Sequence, residues 1–285
     1  MPAIPLAEAG RALDGLDPLV LFSDVDGTLV GRGGSLLSDL DGEPSLDAAG
    51  ALVAARRAGL EVVLVSGRTR SQLFEACRLL GLRDAIGELG TVLIHDREVE
   101  LQWGAAPRDL GPTPADALDS SGALGTVLDE FAGRIEPHAP WHQGREGTAL
   151  LRGQVDVAEV DAVLAAKGYG WARLKDNGRL RGPYPHLGDG ETHALHLLPA
   201  GVSKATTAAA YLVRRGLQPR NAAAVGDGPA DLEIADAVGA IFLVANGAWA
   251  AGVDAGREVI VTPSSAGSGF AEVVTALAGG TKTER

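Results

Sequence analysis

Asp24 and Asp26 close an apolar run, Leu19-Val20-Leu21-Phe22-Ser23, and are followed by Gly27-Thr28-Leu29. On extended backbone, carboxylates two residues apart point the same way. Like charges this close raise one another's pKa unless a cation lies between them. Magnesium fits that need, because it takes carboxylate oxygens together with substrate phosphate. The alternative is a strand ending in an Asx turn with solvated aspartates. Ser66 and Gly67 follow a second apolar run, Leu60 to Val65, and precede a helix whose first backbone amides can hold a phosphate. Ser66 reads equally as an N-cap for that helix. Asp227, between Gly226 and Gly228, follows a third run, Asn221 to Val225, and Asp231 lies four residues on. Lys204 opens a further helix, where the dipole already supplies positive charge. A bound anion would relieve that conflict, and a lysine snorkelling into water would avoid it.

These residues need a frame that brings them together. Runs that are apolar on both faces belong in a parallel sheet covered by helices on both sides. Ligands of such sheets bind at the carboxyl ends of the strands. The expected fold is therefore α/β, with a Rossmann-like, doubly wound parallel core. Ser45 caps a helix to about Ala58, ended by Gly59, and a second helix spans about 71–80. Val30 to Pro44 reads as a loop or short hairpin. Thr91 to His95 and Val99 to Trp103 form a hairpin at the edge of the core.

The Gly- and Pro-rich stretch 104–114 marks a change of pattern. A helix over 115–132, a strand over 147–152 and a helix over 157–167 follow. Strands 171–175 and 180–181 flank Asn177-Gly178, a hairpin turn signal, and another strand covers 192–198. This order describes a small inserted α+β layer. The expected division is a core of residues 1–104 and 193–285, with 105–192 inserted. The core resumes with a helix over 204–215, a helix from 229 to about 238, strands at 241–244 and 259–261, and a closing helix over 270–277. The last residues, 279–285, read as a frayed tail.

The chain has 285 residues and a formal net charge of −12. That balance argues against a nucleic-acid surface, which needs clustered Lys and Arg. Cys77 is alone, so no internal disulfide forms, and a buried inert thiol is expected. Met1 to Pro18 lacks the basic start and apolar core of a secretory signal, and no run spans a bilayer. A soluble cytoplasmic protein without membrane partners is expected. His193 and His196, three apart on a strand, face opposite sides and do not converge on zinc. Arg145, Arg152, Lys175, Arg179 and Arg181 could meet a substrate carboxylate or second phosphate, or lie solvated at the surface.

Asp24-Val25-Asp26-Gly27-Thr28-Leu29, Ser66, Lys204 and Gly226-Asp227 with Asp231 stand in the order of the four motifs of the haloacid dehalogenase-like phosphohydrolases, which nearly the whole chain resembles. The inserted layer is similar to the large α/β cap of the branch that includes Cof-like, sucrose-phosphate phosphatase-like and mannosyl-3-phosphoglycerate phosphatase-like enzymes. The resemblance implies that Asp24 is the nucleophile that becomes an aspartyl phosphate and that Asp26 is the general acid/base. It implies that Asp24 and Asp227 hold Mg2+ by side chains and Asp26 by its carbonyl, with Asp231 behind them. Ser66, Gly67 and Lys204 would hold the phosphoryl oxygens, and Arg68, Arg179 and Arg181 are candidate substrate contacts. Related transport ATPases carry Thr at the place of Asp26, so phosphatase or phosphomutase chemistry is implied.

Leu80-Gly81-Leu82-Arg83-Asp84 and Gly267-Ser268-Gly269-Phe270 resemble the mannosyl-3-phosphoglycerate phosphatase group, which points to a small phosphorylated sugar or sugar-phosphoglycerate as substrate. Three features depart from the pattern. Ala230 stands where many relatives have Asn, Arg68 where the group often has Lys, and Glu88-Leu89-Gly90 where it has Glu-Asn-Gly. A phosphomutase, or a binding module that has lost turnover, is the alternative.

Overall fold

A computed structural model describes residues 3–180, 182–252 and 255–280. In chain order, β1 (Ala3–Pro5) and β2 (Val20–Ser23) precede α1 (Asp47–Ala58), β3 (Glu61–Val65) and α2 (Arg70–Leu80). Next come β4 (Ala85–Gly87), β5 (Val92–His95) and β6 (Glu98–Leu101). The middle of the chain supplies α3 (Pro114–Ser120), α4 (Ala123–Glu130), β7 (Ile135–Pro137), β8 (Ala149–Gly153), α5 (Val157–Ala166), β9 (Ala172–Arg179) and β10 (His193–Pro199). The last part holds α6 (Lys204–Arg214), β11 (Ala222–Gly226), α7 (Pro229–Leu232), β12 (Ala240–Leu243), β13 (Val259–Val261) and α8 (Ala266–Gly280).

Nine strands form one sheet in the order β1-β13-β12-β11-β2-β3-β4-β5-β6. All pairs from β1 to β4 are parallel, and the β5–β6 hairpin closes the edge antiparallel. Alternate residues of the central strands go to opposite faces. Leu21, Val62, Leu64, Ala223 and Phe242 pack with Ala51, Ala55, Phe270 and Val273 of α1 and α8. Val20, Phe22, Val63, Ala222 and Ala224 pack with Ala208, Tyr211 and Leu212 of α6. Burying each large apolar side chain contributes about 1.5–3 kcal/mol, which explains why these strands are apolar on both faces. Cys77 is buried against this core, and burial pushes its thiol up to about 11, away from reactivity.

A second sheet of four antiparallel strands has the order β7-β8-β10-β9. One face is covered by α3, α4 and α5 through Leu118, Val127, Val160 and Leu164 on Leu151, Leu174, Leu195 and Leu197. The strand His193–Pro199, read among the elements of the inserted layer although the division was drawn at 193, is hydrogen-bonded between β8 and β9 of this smaller sheet. Its alternating Leu195 and Leu197 need the helices there to bury them, so the chain returns to the core only after Pro199.

Several local expectations differ from the structure. The helix expected over 115–132 is two helices, because Gly122 adopts φ 85° between them. Asn177-Gly178 makes no hairpin; β9 runs through it, with a register shift opposite His193 and Leu195. Met1 to Pro18 contributes edge strand β1 on β13. The helix expected after Pro229 is one short α-helix followed by a 3-10 segment, Glu233–Ala237. The closing helix is longer than expected, starting at Ala266. Among the described residues, no helix is long and apolar enough to cross a membrane.

Candidate active site

Strands β11, β2 and β3 are adjacent and parallel, so their carboxyl ends deliver Asp227, Asp24 and Ser66 side by side. The amide of Asp24 still donates to Val225 O at 2.9 Å, one step beyond β2, which fixes its backbone to the sheet. Gly27 turns the chain with φ 87°. A Cβ on Gly27 would lie 2.3 Å from Asp227 Oδ2, so only glycine lets the two loops approach.

Lys204 comes from the start of α6, which Ser203 caps through the amide of Thr206. Two contacts hold this helix against the core. Thr207 Oγ1 donates to Gly90 O at 2.7 Å, and Tyr211 Oη donates to the buried Asp84 Oδ2 at 2.6 Å. Lys204 is 3% exposed, so it does not snorkel. Its Nζ donates to Asp24 Oδ1 at 2.9 Å and to Asp231 Oδ1 at 2.7 Å. Burial opposes its charge, but Asp231 and Asp24 outweigh burial and raise its pKa.

Asp231 has a second task, since its Oδ2 accepts the amides of Asp227 and Gly228, both at 3.1 Å. It therefore shapes the loop that carries Asp227. Carboxylate oxygens of Asp24, Asp227 and Asp231 lie within 4.8 Å of one another. Burial first, and then the charges of Asp231 and Asp227 against the pull of Lys204, raise the pKa of Asp24 well above the usual carboxylate range. Burial and Asp231 likewise push Asp227 up to about 7. A second cation at this point would relieve both carboxylates. The donor set is all hard oxygen, which suits magnesium.

Asp26 does not share this cluster. The chain leaves the extended strand at Ser23, so the expected parallel alignment of Asp24 and Asp26 is lost. Arg68 grips the Asp26 carboxylate with two bonds, Nε to Oδ2 at 2.9 Å and Nη2 to Oδ1 at 2.6 Å. The like charges that press on Asp24 are those of Asp227 and Asp231. Arg68, a candidate substrate contact, thus meets Asp26.

Thr69, and not Ser66, caps α2, through a reciprocal capping box with Gln72. Ser66 is left at the strand end, its Oγ accepting the amide of Arg68 at 3.3 Å, with Gly67 beside it. The expected cations of the smaller sheet divide. Arg145 is buried and donates to Gly67 O at 2.9 Å. Lys175 pairs with Glu233, which lies two residues after Asp231. Arg152 pairs with Glu136, at 2.6 Å, and the exposed Arg179 with Glu191, at 3.3 Å. Arg181 lies outside the described residues. His193 faces Asp176, whereas His196 is buried beside Thr148.

Two contributors escape sequence reasoning. Glu88 is fully buried and accepts the amides of Glu146, Gly147 and Thr148 and the hydroxyl of Thr148, tying the smaller sheet to the loop after β4. Asn246 Nδ2 donates to Gly27 O at 2.9 Å and Asp227 Oδ2 at 3.2 Å, while its Oδ1 accepts the amide of Ala266 at 2.9 Å. Asn246 follows β12 by a few residues and belongs to no motif; its only signal is a polar residue just past a strand's carboxyl end. Asn246→Ala is expected to lose about 1–3 kcal/mol, because three polar groups lose a partner at once. Denaturant unfolding checks this; a loss below 0.5 kcal/mol (~0.5, within the range of neutral surface changes) would show that Asn246 does not brace the site.

Residues 180–273 match the sequence profile of haloacid dehalogenase-like hydrolases. A phosphoglycolate phosphatase of Pyrobaculum neutrophilum is 30% identical over 262 residues, 92% of this chain and 96% of that protein. One from Methanoculleus marisnigri is 28% identical over 227 residues, 79% of this chain and 83% of that protein. Among solved structures, the sucrose-phosphatase of Synechocystis, in complex with sucrose and phosphate, superposes with a TM-score of 0.62 at 17% identity. That match covers 92% of this chain and 98% of the other, a likeness of fold.

Proposed function

The chain belongs to the haloacid dehalogenase-like hydrolases, and we propose that it acts as a magnesium-dependent phosphatase using Asp24 as nucleophile and Asp26 as general acid and base. The observation that carries this reading is Lys204 bound to both Asp24 and Asp231, beside the convergence of Asp24, Asp227 and Asp231. Such a site offers one fixed positive charge, room for a second, and a carboxylate between them.

In this reading Asp24 Oδ attacks phosphorus, and the P–O bond to the alcohol breaks. Asp26 delivers a proton to the departing oxygen and later takes one from the water that hydrolyses the aspartyl phosphate. Because Arg68 holds Asp26 bidentately, the carboxyl must leave that grip to reach the leaving group. Ser66 Oγ, the Gly67 backbone and Lys204 Nζ hold the phosphoryl oxygens and offset their charge, the main requirement of phosphoryl transfer. Magnesium, when bound, supplies further charge neutralisation, and the carboxylates of Asp24 and Asp227 with the carbonyl of Asp26 would hold it. Asp231 keeps Lys204 and the Asp227 loop in place.

The substrate class we propose is a small phosphorylated acid or sugar acid. Phosphoglycolate, in the names of the two relatives, and mannosyl-3-phosphoglycerate, to which sequence fragments point, share a carboxylate. The smaller sheet, which we propose serves as a cap spanning about residue 105 to Pro199, turns Arg145 and Lys175 towards the core loops.

Phosphate release from an aryl phosphate and from 2-phosphoglycolate, with and without magnesium, tests this reading. Release is expected to stop in chelator and return with magnesium. Protons compete with the metal for Asp227, whose pKa lies at about 7 without metal. The apparent magnesium affinity is therefore expected to fall up to about tenfold per pH unit below 7. Release undiminished by chelator would end the metal assignment, and no release from any ester would end the phosphatase one.

A further inference from the structure

Arg68 is the cation of this site whose partner must move. Its Nε and Nη2 donate to Asp26 Oδ2 and Oδ1 at 2.9 and 2.6 Å. That fork uses one N–H of each nitrogen, and a guanidinium has further N–H groups on its other edge. The N–H groups of Nη1 and the second one of Nη2 meet no acceptor among the described residues. The pair is open to a ligand, since the Arg68 side chain is 27% exposed and that of Asp26 57%. Gly34, in the loop after β2, passes beside Nη2 with no side chain to cover it.

The neighbouring cations have partners that stay in place. Lys204 sits between Asp24 and Asp231. Arg145 donates to Gly67 O, Thr148 Oγ1 and Trp141 O beside Glu88, and Lys175 pairs with Glu233. None of these partners is the group that meets the departing oxygen. Asp26 is, and to do so it must come within about 2.6–3.2 Å of the ester oxygen. Its two oxygens already have guanidinium nitrogens at that distance. The ester oxygen and Arg68 therefore contend for one carboxyl. In 2-phosphoglycolate a single carbon separates the ester oxygen from a carboxylate, so with that oxygen beside Asp26 the substrate carboxylate falls within reach of the same guanidinium. It is the group that a guanidinium binds with two parallel bonds.

We propose that Arg68 selects phosphate esters whose leaving group carries a carboxylate one or two carbons from the ester oxygen, and that this carboxylate, by taking the guanidinium, frees Asp26 for the departing oxygen. The substrate carboxylate docks on the free Nη1–Nη2 edge and draws the charge of Arg68 to itself. Asp26 then turns to the ester oxygen and gives it a proton as the bond from Asp24 Oδ to phosphorus forms and the P–O bond to the alcohol breaks. An ester with an uncharged leaving group leaves Asp26 in the fork, so it is disfavoured at the chemical step as well as in binding. This inference rests on the phosphatase reading and names the residue that would recognise the acid.

The test compares 2-phosphoglycolate with the phosphate ester of glycolamide, which matches it in size and has no charge on the leaving group, both with saturating magnesium. The wild-type ratio of kcat/KM is expected to favour 2-phosphoglycolate by about tenfold or more. In Arg68→Met that ratio should fall to within about threefold of unity, and kcat for the glycolamide ester should rise about threefold or more above wild type, because nothing holds Asp26 back. Arg68→Lys, a point charge without a fork, should give a ratio between the two. Titration calorimetry of both esters into Asp24→Asn reads the preference from dissociation constants, independently of turnover. Adding Asp26→Asn should strengthen binding of 2-phosphoglycolate relative to the glycolamide ester about threefold or more, since the competing carboxylate is gone, and adding Arg68→Met as well should abolish that gain. A wild-type ratio near one, a ratio unmoved in Arg68→Met, or a slower glycolamide ester in that variant overturns the proposal, the last because Arg68 would then only brace Asp26. Absence of phosphate release from either ester counts against the phosphatase reading alone, and the dissociation constants then decide the role of Arg68.

Discussion

Asp24→Asn is expected to reduce phosphate release by at least about 10⁴-fold while leaving a folded protein, because an amide cannot form the acyl phosphate. The geometry adds a second expectation. Asp24 is largely enclosed, with its side chain 11% exposed, and its pKa is raised above the unfolded value first by that desolvation, with Asp231 and Asp227 adding to it. A carboxyl with a raised folded pKa binds its proton more tightly when folded, so the metal-free wild type loses stability as pH rises from the unfolded value near 4. Asparagine has no proton to lose and keeps nearly the same volume. In chelator at pH 8, Asp24→Asn should therefore unfold at a temperature equal to or above that of wild type, and the gap should close towards pH 4. Lys204 keeps a partner in the variant, since Asp231 Oδ1 remains 2.7 Å from Nζ. Residual turnover within a hundredfold of wild type (about 10², well above the loss of a nucleophile) would remove Asp24 from the nucleophile's role. A large drop in melting temperature at pH 8 would show instead that its ionised form stabilises the fold.

The residues legible in the sequence are those whose placement depends only on local rules. Asp24, Ser66 and Asp227 each follow an apolar run, and a strand buried on both faces can tolerate such groups only at its end. Adjacency of β11, β2 and β3 then brings them together without further information. What stayed hidden depends on contacts distant in sequence. Asn177-Gly178 has the composition of a hairpin turn, but β10 pairs with β9 on both sides of it, and the partner strand converts the turn signal into a bulge. Glu88 looked like a departure from a pattern; its burial and four acceptor bonds come from residues nearly sixty positions away. Arg68, a candidate substrate contact, lays its fork on Asp26 across the loop, a contact between residues 42 positions apart. The strand over 192–198 was legible as part of the inserted layer from the order of elements, and its pairing with β8 and β9 carries that layer past the division drawn at 193.

Lys204→Met should have the second large effect, on stability as well as turnover. The largely enclosed Asp24 and the buried Asp231 share this one ammonium group, at 2.9 and 2.7 Å. Removing one partner of a buried ion pair costs about 3–5 kcal/mol, because the remaining charge is left in a poor dielectric. Methionine preserves the length and apolar stem, so the loss reports charge more than packing. The pH dependence gives the sign that separates this from a cavity. Without Lys204, nothing offsets the burial that raises Asp24, so its folded pKa rises further and protonation at pH 5 removes the unpaired charge. The stability deficit against wild type is therefore expected to be largest near pH 8 and to shrink towards pH 5, and magnesium should recover part of it at pH 8 by supplying a cation to Asp24 and Asp227. Turnover should fall at least about 10³-fold with magnesium saturating, since the fixed charge that meets the phosphoryl oxygens is gone. Denaturant unfolding at the two pH values, with and without magnesium, reads the first part, and phosphate release reads the second. A deficit that is the same at pH 5 and pH 8 would mean that Lys204 fills space more than it holds Asp24 and Asp231 in their charged form.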